Sequence, residues 1–241
     1  MLRDKIYATP RKTVSKFSFN EEVAAVFPDM IRRSVPGYDL LIDQIKVLTM
    51  YYERPDCNYY DLGCSWGAVS VAMGQVITAR GCHIIAVDNS LAMIKKCRLR
   101  FSKMNSSSTI HLICSDIEDI NIKRAQLVIL NFTLQFIEPS GREYLLKKIY
   151  EGLLPGGLLI LSEKIKASTG ITQELYTEWH QAFKRYQGYS DLEISQKRTA
   201  LEQVLVADTL QTHLKRLSSC GFSRTEPWFQ CFNFVSMMAF K

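Results

Sequence analysis

The chain has 241 residues, of which 47% are hydrophobic and 22% charged, and its formal net charge is +6. This balance excludes a disordered or collagen-like chain, and a chain of this length can bury roughly 70–75% of its unfolded surface, so that it needs no disulfides or metal ions to fold. The positive charge is spread along the chain, which lacks the clustered basic face typical of nucleic-acid-binding proteins.

Residues 1–55 are predicted to form a helical N-terminal arm. Asn20 can cap a helix, and Pro28 either kinks that helix or opens a new one. Pro36 and Gly37 break the helical pattern. A second helix is indicated by apolar residues at helical spacing, namely Leu41, Ile42, Ile45 and Leu48.

Residues 56–163 alternate between strand and helix patterns. Five short apolar runs, each typical of a parallel strand covered on both faces, are residues 59–62, 83–87, 110–114, 127–130 and 158–161. Helical spacing is found at residues 68–78, 91–104 and 141–153, and L-P-G-G at 154–157 is predicted to separate the last helix from the fifth strand. Repeated strand–helix units predict a mostly parallel sheet with helices on both sides.

Residues 164–220 are predicted to hold a mostly helical insert, at about 172–206, and a last helix at 209–219. Two aromatic-rich runs within residues 221–241 indicate an antiparallel hairpin, at 222–229 and 232–240. The whole chain, residues 1–241, is therefore predicted to be one doubly wound α/β domain.

Several classes of site lack support in the sequence. The seven cysteines are odd in number and form no C-x-x-C pair, which favours reduced, partly buried thiols. The four histidines lack metal-ligand spacing, so no metal site is predicted. No apolar run reaches the roughly 18 residues that cross a bilayer, and the charged N-terminus lacks a signal-peptide core. We therefore expect a cytoplasmic protein that does not contact membranes.

The strongest local signal is D-L-G-C-S-W-G at residues 61–67, which follows a predicted strand and opens a predicted helix. Small residues at such a turn let the backbone approach a ligand closely. Asp88 ends the next strand and can accept hydrogen bonds from ribose hydroxyls, while Asp116 and Ile117 follow the third strand and can contact an adenine ring. Each aspartate alone is better explained by a turn or a helix cap, but Asp61, Asp88 and Asp116 in register at three strand ends indicate a nucleotide-like ligand.

The bulky Trp66 disfavours a dinucleotide, whose pyrophosphate needs close approach of the loop. The series D-L-G-C-S-x-G, V-D-N, S-D-I and L-P-G-G resembles the class I S-adenosyl-L-methionine (SAM)-dependent methyltransferases. This resemblance covers residues 58–241 and implies a Rossmann-like, mostly parallel seven-stranded sheet with a C-terminal antiparallel hairpin.

Five further segments carry a closer resemblance. They are V-F-P-D-M-I-R-R-S-V-P-G-Y (26–38), Y-D-L-G-C-S (60–65), L-N-F-T-L-Q-F (130–136), G-Y-S-D-L-E-I-S-Q-K-R (188–198) and W-F-Q-C-F-N-F (228–234). Together they are similar to the carboxy-S-adenosyl-L-methionine synthase family, over nearly the full chain. These segments include the N-terminal arm and the insert, where methyltransferases diverge most.

That resemblance implies that the enzyme carboxylates the sulfonium methyl group of SAM, with prephenate as carboxyl donor and phenylpyruvate as co-product. The site must then exclude water, which would protonate the reacting carbon. The product, carboxy-SAM, would supply a separate tRNA carboxymethyltransferase that modifies 5-hydroxyuridine at the wobble position. The resemblance also implies a homodimer, and because its substrates are small, no direct nucleic-acid contact is expected.

The resemblance assigns SAM contacts residue by residue. The cofactor-binding set is Tyr38, Gly63, Cys64, Ser65, Asp88, Asn89, Asp116, Ile117, Asn131 and Arg198. The Tyr38 ring could face the sulfonium and its hydroxyl could bond the methionine carboxylate, although without the resemblance a half-buried surface ring explains a lone tyrosine better. Cys64 is interpreted as a small backbone contact, because the reaction needs no nucleophile.

Two residues are assigned to catalysis. Asn131 ends the fourth strand, where its amide oxygen could accept contacts from the sulfonium methyl hydrogens, or could instead cap the following helix. Arg198 could grip the new carboxylate with two parallel hydrogen bonds, worth roughly 1.5–3 kcal/mol, or could be a solvated arginine on a helix face. Arg32 and Arg33 could help to bind the donor, but a solvated helix face explains them equally well.

Alternative functions differ from this interpretation in what they do with SAM. An ordinary SAM-dependent methyltransferase would transfer the methyl group and would not need Arg198 in the pocket. A non-catalytic SAM-binding protein would bind without turnover. A nicotinamide-dependent dehydrogenase is the most distant alternative.

Overall fold

The computed structural model describes residues 2–104 and 108–241. Within these residues seven strands form one sheet. Their bounds are β1 Asn58–Leu62, β2 His83–Asp88, β3 Thr109–Cys114, β4 Ala125–Asn131, β5 Leu153–Lys164, β6 Arg224–Cys231 and β7 Phe234–Phe240. The helices are α1 Glu21–Ser34, α2 Tyr38–Tyr51, α3 Ala68–Gly74, α4 Leu91–Phe101, α5 Pro139–Gly152, α6 Gly170–Tyr186, α7 Asp191–Glu202 and α8 Leu210–Ser219.

The strands lie in the order β3-β2-β1-β4-β5-β7-β6. The first five are parallel to one another, and β7 pairs antiparallel with both β5 and β6. The predicted class I methyltransferase fold, with its terminal hairpin, is confirmed. The strand order reverses beside β1, and ligands of such sheets bind in the crevice beyond the carboxyl ends of the strands at that point.

The sequence did not decide whether Pro28 lies within the first helix or opens a new one. The structure places it inside α1. Asn20 caps this helix as predicted, because its Oδ1 accepts from the Val23 N–H at 3.0 Å. A proline has no N–H to donate to the carbonyl four residues earlier, which here belongs to Ala24. The Trp66 indole Nε1 donates to that Ala24 oxygen at 2.7 Å. Trp66 thus joins the glycine-rich loop to the N-terminal arm.

Several boundaries differ from the sequence prediction. The helix predicted for 91–104 ends at Phe101. The helix predicted for 68–78 ends at Gly74. The helix predicted for 141–153 covers Pro139–Gly152, and the P-G-G at 155–157 lies inside β5 rather than before it. The β4–β5 register shifts between Ala125 and Leu127, opposite this segment, so the turn-forming residues make an irregularity within a longer strand.

The third strand is also less covered than predicted. β3 pairs only with β2, and Ile113 is 36% exposed. Since β3 lies at the edge of the sheet, its apolar residues are not enclosed as those of the central strands are. The pattern of apolar residues alone did not separate an edge strand from a central one.

The residues before α1 pack against α7 and close one side of the crevice. Asp4 is 2% exposed, and its Oδ2 accepts from the Tyr189 hydroxyl at 2.5 Å and from Lys197 Nζ at 3.3 Å. The Phe17 N–H donates to the Ala200 carbonyl at 3.0 Å. These contacts hold Phe17 and Phe19 against the cavity described next.

Candidate active site

One cavity of about 450 Å³ lies beyond the carboxyl ends of the parallel strands. All ten residues predicted to bind the cofactor line it: Tyr38, Gly63, Cys64, Ser65, Asp88, Asn89, Asp116, Ile117, Asn131 and Arg198. They come from four strand ends, the start of α2 and helix α7, so tertiary folding brings together residues that are 160 positions apart in sequence.

The loop after β1 turns sharply at the positions that the sequence indicated. Gly63, Ser65 and Gly67 have φ values of +84°, +53° and +73°. The Gly63 and Cys64 N–H groups both donate to the Val87 carbonyl at 2.8 Å, which ties the loop to the end of β2. A Cβ on Gly63 would lie 2.4 Å from Thr133 Oγ1, so only glycine lets the loop approach the end of β4 this closely.

The ends of β2 and β3 meet the loop through hydrogen bonds. Asp88 Oδ2 accepts from the Ser65 N–H at 2.8 Å, and Oδ1 accepts from the Ser90 N–H at 2.9 Å. Asn89 Nδ2 donates to Asp116 Oδ1 at 2.6 Å. Burial raises the pKa of Asp88 despite these hydrogen bonds. Each carboxylate keeps lone pairs for hydroxyl or amino donors, as a bound nucleoside requires.

Asp61 is a cavity residue that counted among the strand-end aspartates but was not assigned to the cofactor-binding set. It is 1% exposed, lines the cavity, and accepts from the Ser70 N–H at 2.9 Å and the Ser70 hydroxyl at 2.6 Å. Burial raises its pKa to about 7, and the nearby Asp88 carboxylate acts in the same direction. Its place at the head of the D-L-G-C-S-W-G motif was the signal that could have identified it.

Asp61→Asn is expected to change how stability depends on pH. The unfolded side chain releases its proton near pH 4, whereas the folded one holds it up to about pH 7. Between these values the folded protein binds more protons, so raising the pH lowers the free energy of unfolding of the wild type, by about 4 kcal/mol relative to Asp61→Asn. Urea unfolding of the ligand-free proteins at several pH values measures the difference. Parallel pH profiles of the two proteins would contradict this assignment.

Cys64 and Tyr38 both remain protonated at neutral pH. Contact with the Cys97 thiol and burial raise the pKa of Cys64, which is 4% exposed. A thiol in that state is a poor nucleophile, in agreement with the interpretation of Cys64 as a packing and backbone contact. Burial and the nearby Asp61 carboxylate raise the pKa of Tyr38, so its hydroxyl can donate to a ligand carboxylate.

Asn131 is at the end of β4, and its Oδ1 is buried. Among the described residues this oxygen has no hydrogen-bond partner, so the cap alternative is wrong. A buried unpartnered carbonyl oxygen costs free energy until a ligand contacts it. Its place in the cavity fits a group with polarised hydrogens, such as a sulfonium methyl.

Arg198 lies at the cavity mouth rather than deep inside. Its side chain is 55% exposed, and its Nε donates to Glu202 Oε1 at 2.5 Å, one helical turn away on α7. Both residues line the cavity. The predicted clamp is therefore within reach of a ligand, but its guanidinium is shared with a neighbouring carboxylate.

The cations that line the cavity were largely missed by the sequence analysis. Arg32 pairs with Asp39, and Arg33 is held by Asp29 and by backbone carbonyls, so neither arginine is among the cavity residues. Lysines from the end of β5, from the residues after it and from the insert helices line the cavity instead, at Lys164, Lys166, Lys184 and Lys197. The signal for Lys164 was its position close to the end of the predicted strand 158–161, at the carboxyl edge of the sheet.

The structure also bears on metal binding and on membrane insertion. In residues 2–104 and 108–241 there is no cluster of His, Cys, Asp and Glu side chains that could hold a metal ion. No helix in the same ranges is both long enough and apolar enough to span a membrane.

The residues present fit SAM. Acidic side chains from β1, β2 and the turn after β3 suit its amino and hydroxyl groups, the glycine loop leaves room for close approach, and the unpartnered oxygen of Asn131 suits its methyl end. When bound, SAM supplies an electrophilic and acidic methyl group on a positively charged sulfur.

The chain is similar to known methyltransferases in part of its sequence and in its fold. Residues 60–157 match the family described as methyltransferase domain. A putative O-methyltransferase from Nostoc punctiforme superposes with a TM-score of 0.67 at 19% identity, over 92% of this chain and 59% of that one. A putative SAM-dependent methyltransferase from Methanococcus maripaludis gives 0.59 at 17% identity, over 95% and 96% of the two chains.

Curated relatives match along nearly the full length. Proteins named carboxy-S-adenosyl-L-methionine synthase from Trichlorobacter lovleyi and Shewanella putrefaciens are 53% and 52% identical to this chain, over 99% of it and 98% of each relative. One from Aliivibrio fischeri is 50% identical over the same shares. These matches and the methyltransferase fold make the chain an enzyme of the transferase class. It belongs to the carboxy-S-adenosyl-L-methionine synthase family.

Proposed function

We propose that the enzyme converts SAM and prephenate to carboxy-SAM and phenylpyruvate. The observation that carries this proposal is the division of the cavity into two halves. The ends of β1 and β2 and the turn after β3 supply three aspartates, Asp61, Asp88 and Asp116. The opposite side, from the end of β5 and helices α6 and α7, supplies lysines and Arg198. An ordinary methyl transfer gives this cationic side no product carboxylate to bind, whereas carboxylation creates one.

The proposed reaction balances without a metal or an external oxidant. Prephenate loses its ring carboxyl group, and its ring hydroxyl leaves as water with a proton from the SAM methyl group. The ring becomes aromatic, which drives the reaction, and the carboxyl carbon forms a bond to the former methyl carbon. Asn131 orients the methyl group, and Arg198 holds the new carboxylate. Phe17, Phe19 and Phe136 line the cavity and help to exclude water, which would otherwise compete as a proton source.

We also propose that two copies of the chain form a homodimer. Large apolar side chains lie exposed on α2 and α6, including Tyr51 at 83% and Ile171 at 75% exposure. Large exposed apolar side chains are typical of association sites where they form a patch. Light scattering of the purified protein tests the assembly. The supply of carboxy-SAM to a tRNA carboxymethyltransferase, the lack of direct nucleic-acid contact and the cytoplasmic location stay predictions.

Mass spectrometry of the purified protein incubated with SAM and prephenate tests the proposed reaction. We expect a SAM species heavier by one carboxyl group and an equal amount of phenylpyruvate. S-adenosyl-L-homocysteine in place of carboxy-SAM would instead identify an ordinary methyltransferase. Bound but unchanged SAM would identify a non-catalytic SAM-binding protein.

A further inference from the structure

Among the described residues, two cavity lysines that are buried or half-buried have no carboxylate partner. Lys164 is the last residue of β5, and Lys184 lies on α6 and is 7% exposed. Within residues 2–104 and 108–241, neither ammonium group makes a hydrogen bond or an ion pair with a carboxylate within 4.0 Å. Lys197 and Arg198 on the same side differ, because Lys197 pairs with Asp4 and Arg198 pairs with Glu202. Lys166 also lines the cavity, but it is exposed to solvent.

Burial without a partner is costly for both groups. Burial and, to a lesser extent, the positive charges of Lys197, Lys164 and Arg198 together lower the pKa of Lys184 to about 7. Burial and Arg198 likewise lower the pKa of Lys164, although the Glu202 carboxylate acts in the opposite direction. A protein gains no stability from cations held in this way, since like charges repel and their hydration is lost. An anion bound between them would offset both costs.

The two lysines lie on the reactive side of the cavity. In the parallel pairing of β4 with β5, Asn131 is opposite Ser162, and Lys164 is two residues farther along β5. Residues two apart on a strand face the same side of the sheet. An anion held by Lys164 would therefore lie beside the position at which Asn131 contacts the SAM methyl group, on the side away from Asp88 and Asp116.

We propose that Lys164 and Lys184 form the subsite that binds the carboxylates of the carboxyl donor. This inference rests on the proposed function and assigns it a substrate class, a dicarboxylate. Donor binding and product binding then fall to different residues. The lysines hold the incoming donor, and Arg198 at the cavity mouth holds the carboxylate formed on SAM. An ammonium is a compact charge that suits a donor whose carboxylates must move during reaction, whereas a planar guanidinium suits a fixed product carboxylate.

The test uses Lys184→Met and Lys164→Met, with Lys215→Met as control. Lys215 is an exposed lysine of α8 outside the cavity, so its replacement makes the same charge change. Prephenate is titrated calorimetrically into protein saturated with S-adenosyl-L-homocysteine, which lacks the methyl group and cannot react. We expect each cavity variant to bind prephenate about tenfold or more weakly, a change of about 1.4 kcal/mol, while its affinity for S-adenosyl-L-homocysteine stays within about twofold. Lys215→Met should match the wild type.

The outcomes separate this inference from the proposed function. If the wild type forms carboxy-SAM but both cavity variants keep its prephenate affinity, the subsite is wrong and the function stands. If the wild type forms no carboxy-SAM but binds prephenate through these lysines, the function is wrong and the anion subsite stands. Failure of the wild-type complex to bind prephenate overturns the subsite.

The melting temperature of Lys184→Met distinguishes a lysine that binds a ligand from a lysine that stabilises the fold. Removing a buried, unpartnered charge should raise the melting temperature of the ligand-free protein, so Lys184→Met should be more stable than the wild type. A lysine kept for structure would show the opposite change. A lower melting temperature together with unchanged prephenate affinity would contradict the proposal.

The affinity for prephenate is also expected to depend on pH. Lys184 is charged below its pKa of about 7 and progressively neutral above it, so wild-type affinity should fall about tenfold or more between about pH 7 and pH 9. The fall should be smaller in Lys184→Met. The charged and titratable groups around Lys184 are Lys164 on β5, Lys197 and Arg198 on α7, and His180 on α6 itself. Burial lowers the pKa of His180 to about 2, so it stays neutral across this range.

Discussion

Arg198→Met is expected to bind carboxy-SAM about 10- to 100-fold more weakly than the wild type while binding SAM equally well. The guanidinium can form two charge-assisted hydrogen bonds to the carboxylate that distinguishes the two ligands, worth roughly 1.5–3 kcal/mol. The SAM methyl group offers it no partner. Calorimetric titration of each ligand measures the two affinities, and the ratio between them is the decisive quantity.

Glu202→Gln should change the affinity for carboxy-SAM in the opposite direction. Glu202 accepts from Arg198 at 2.5 Å, and both side chains are more than half exposed, so their pair is worth only about 0.2–1 kcal/mol. Removing the negative charge frees the guanidinium, and we expect carboxy-SAM to bind up to about fivefold more tightly. If Arg198→Met weakens carboxy-SAM binding and Glu202→Gln strengthens it, general damage to α7 is excluded as the cause.

The control for both variants is Arg185→Met. Arg185 forms a comparable exposed pair with Asp191 at 2.7 Å but does not line the cavity. Its replacement should leave both affinities unchanged. If Arg198→Met weakened SAM and carboxy-SAM equally, Arg198 would act through the fold of the insert and not as a clamp.

Gly63→Ala is expected to weaken SAM binding more than 100-fold. The φ of +84° costs a non-glycine residue about 1–2 kcal/mol, and the added Cβ would lie 2.4 Å from Oγ1 and 2.5 Å from Cγ2 of Thr133. The loop must therefore move away from the end of β4, and the positions of Cys64 and Ser65 move with it. Calorimetry gives the affinity, and circular dichroism verifies that the variant is folded.

Two other glycines separate the causes of this effect. Gly156 also has a positive φ, +76°, but a Cβ there would meet nothing within 4 Å, so Gly156→Ala reports backbone strain alone. Gly170 has neither feature, and Gly170→Ala should be neutral. The double variant Gly63→Ala/Thr133→Ala should recover part of the SAM affinity, because it removes the two closest atoms. Wild-type affinity in Gly63→Ala would refute the importance of the close approach.

Local patterns predicted elements well where neighbouring residues decide the structure. Asn20 caps α1 because its side chain reaches an N–H three residues ahead, which is a local contact. The P-G-G segment failed as a predictor because pairing with β4 extended β5 through residues that favour a turn. The role of Pro28 was undecidable locally, since the partner of the carbonyl that it frees is Trp66, which is distant in sequence.

The pattern of residues along the chain was enough to predict the alternation of strands and helices, and to place the site at the carboxyl ends of the strands. Those ends meet at one edge of any parallel sheet, so Asp88, Asp116 and Asn131 could be grouped from their positions in the sequence alone. That Lys164 and Lys184 face the cavity unpaired, and that Glu202 competes for Arg198, depends instead on how distant segments pack together. The free energy of a charge depends on its burial and on its nearest opposite charge, and the packing of α6 and α7 against the end of β5 sets both.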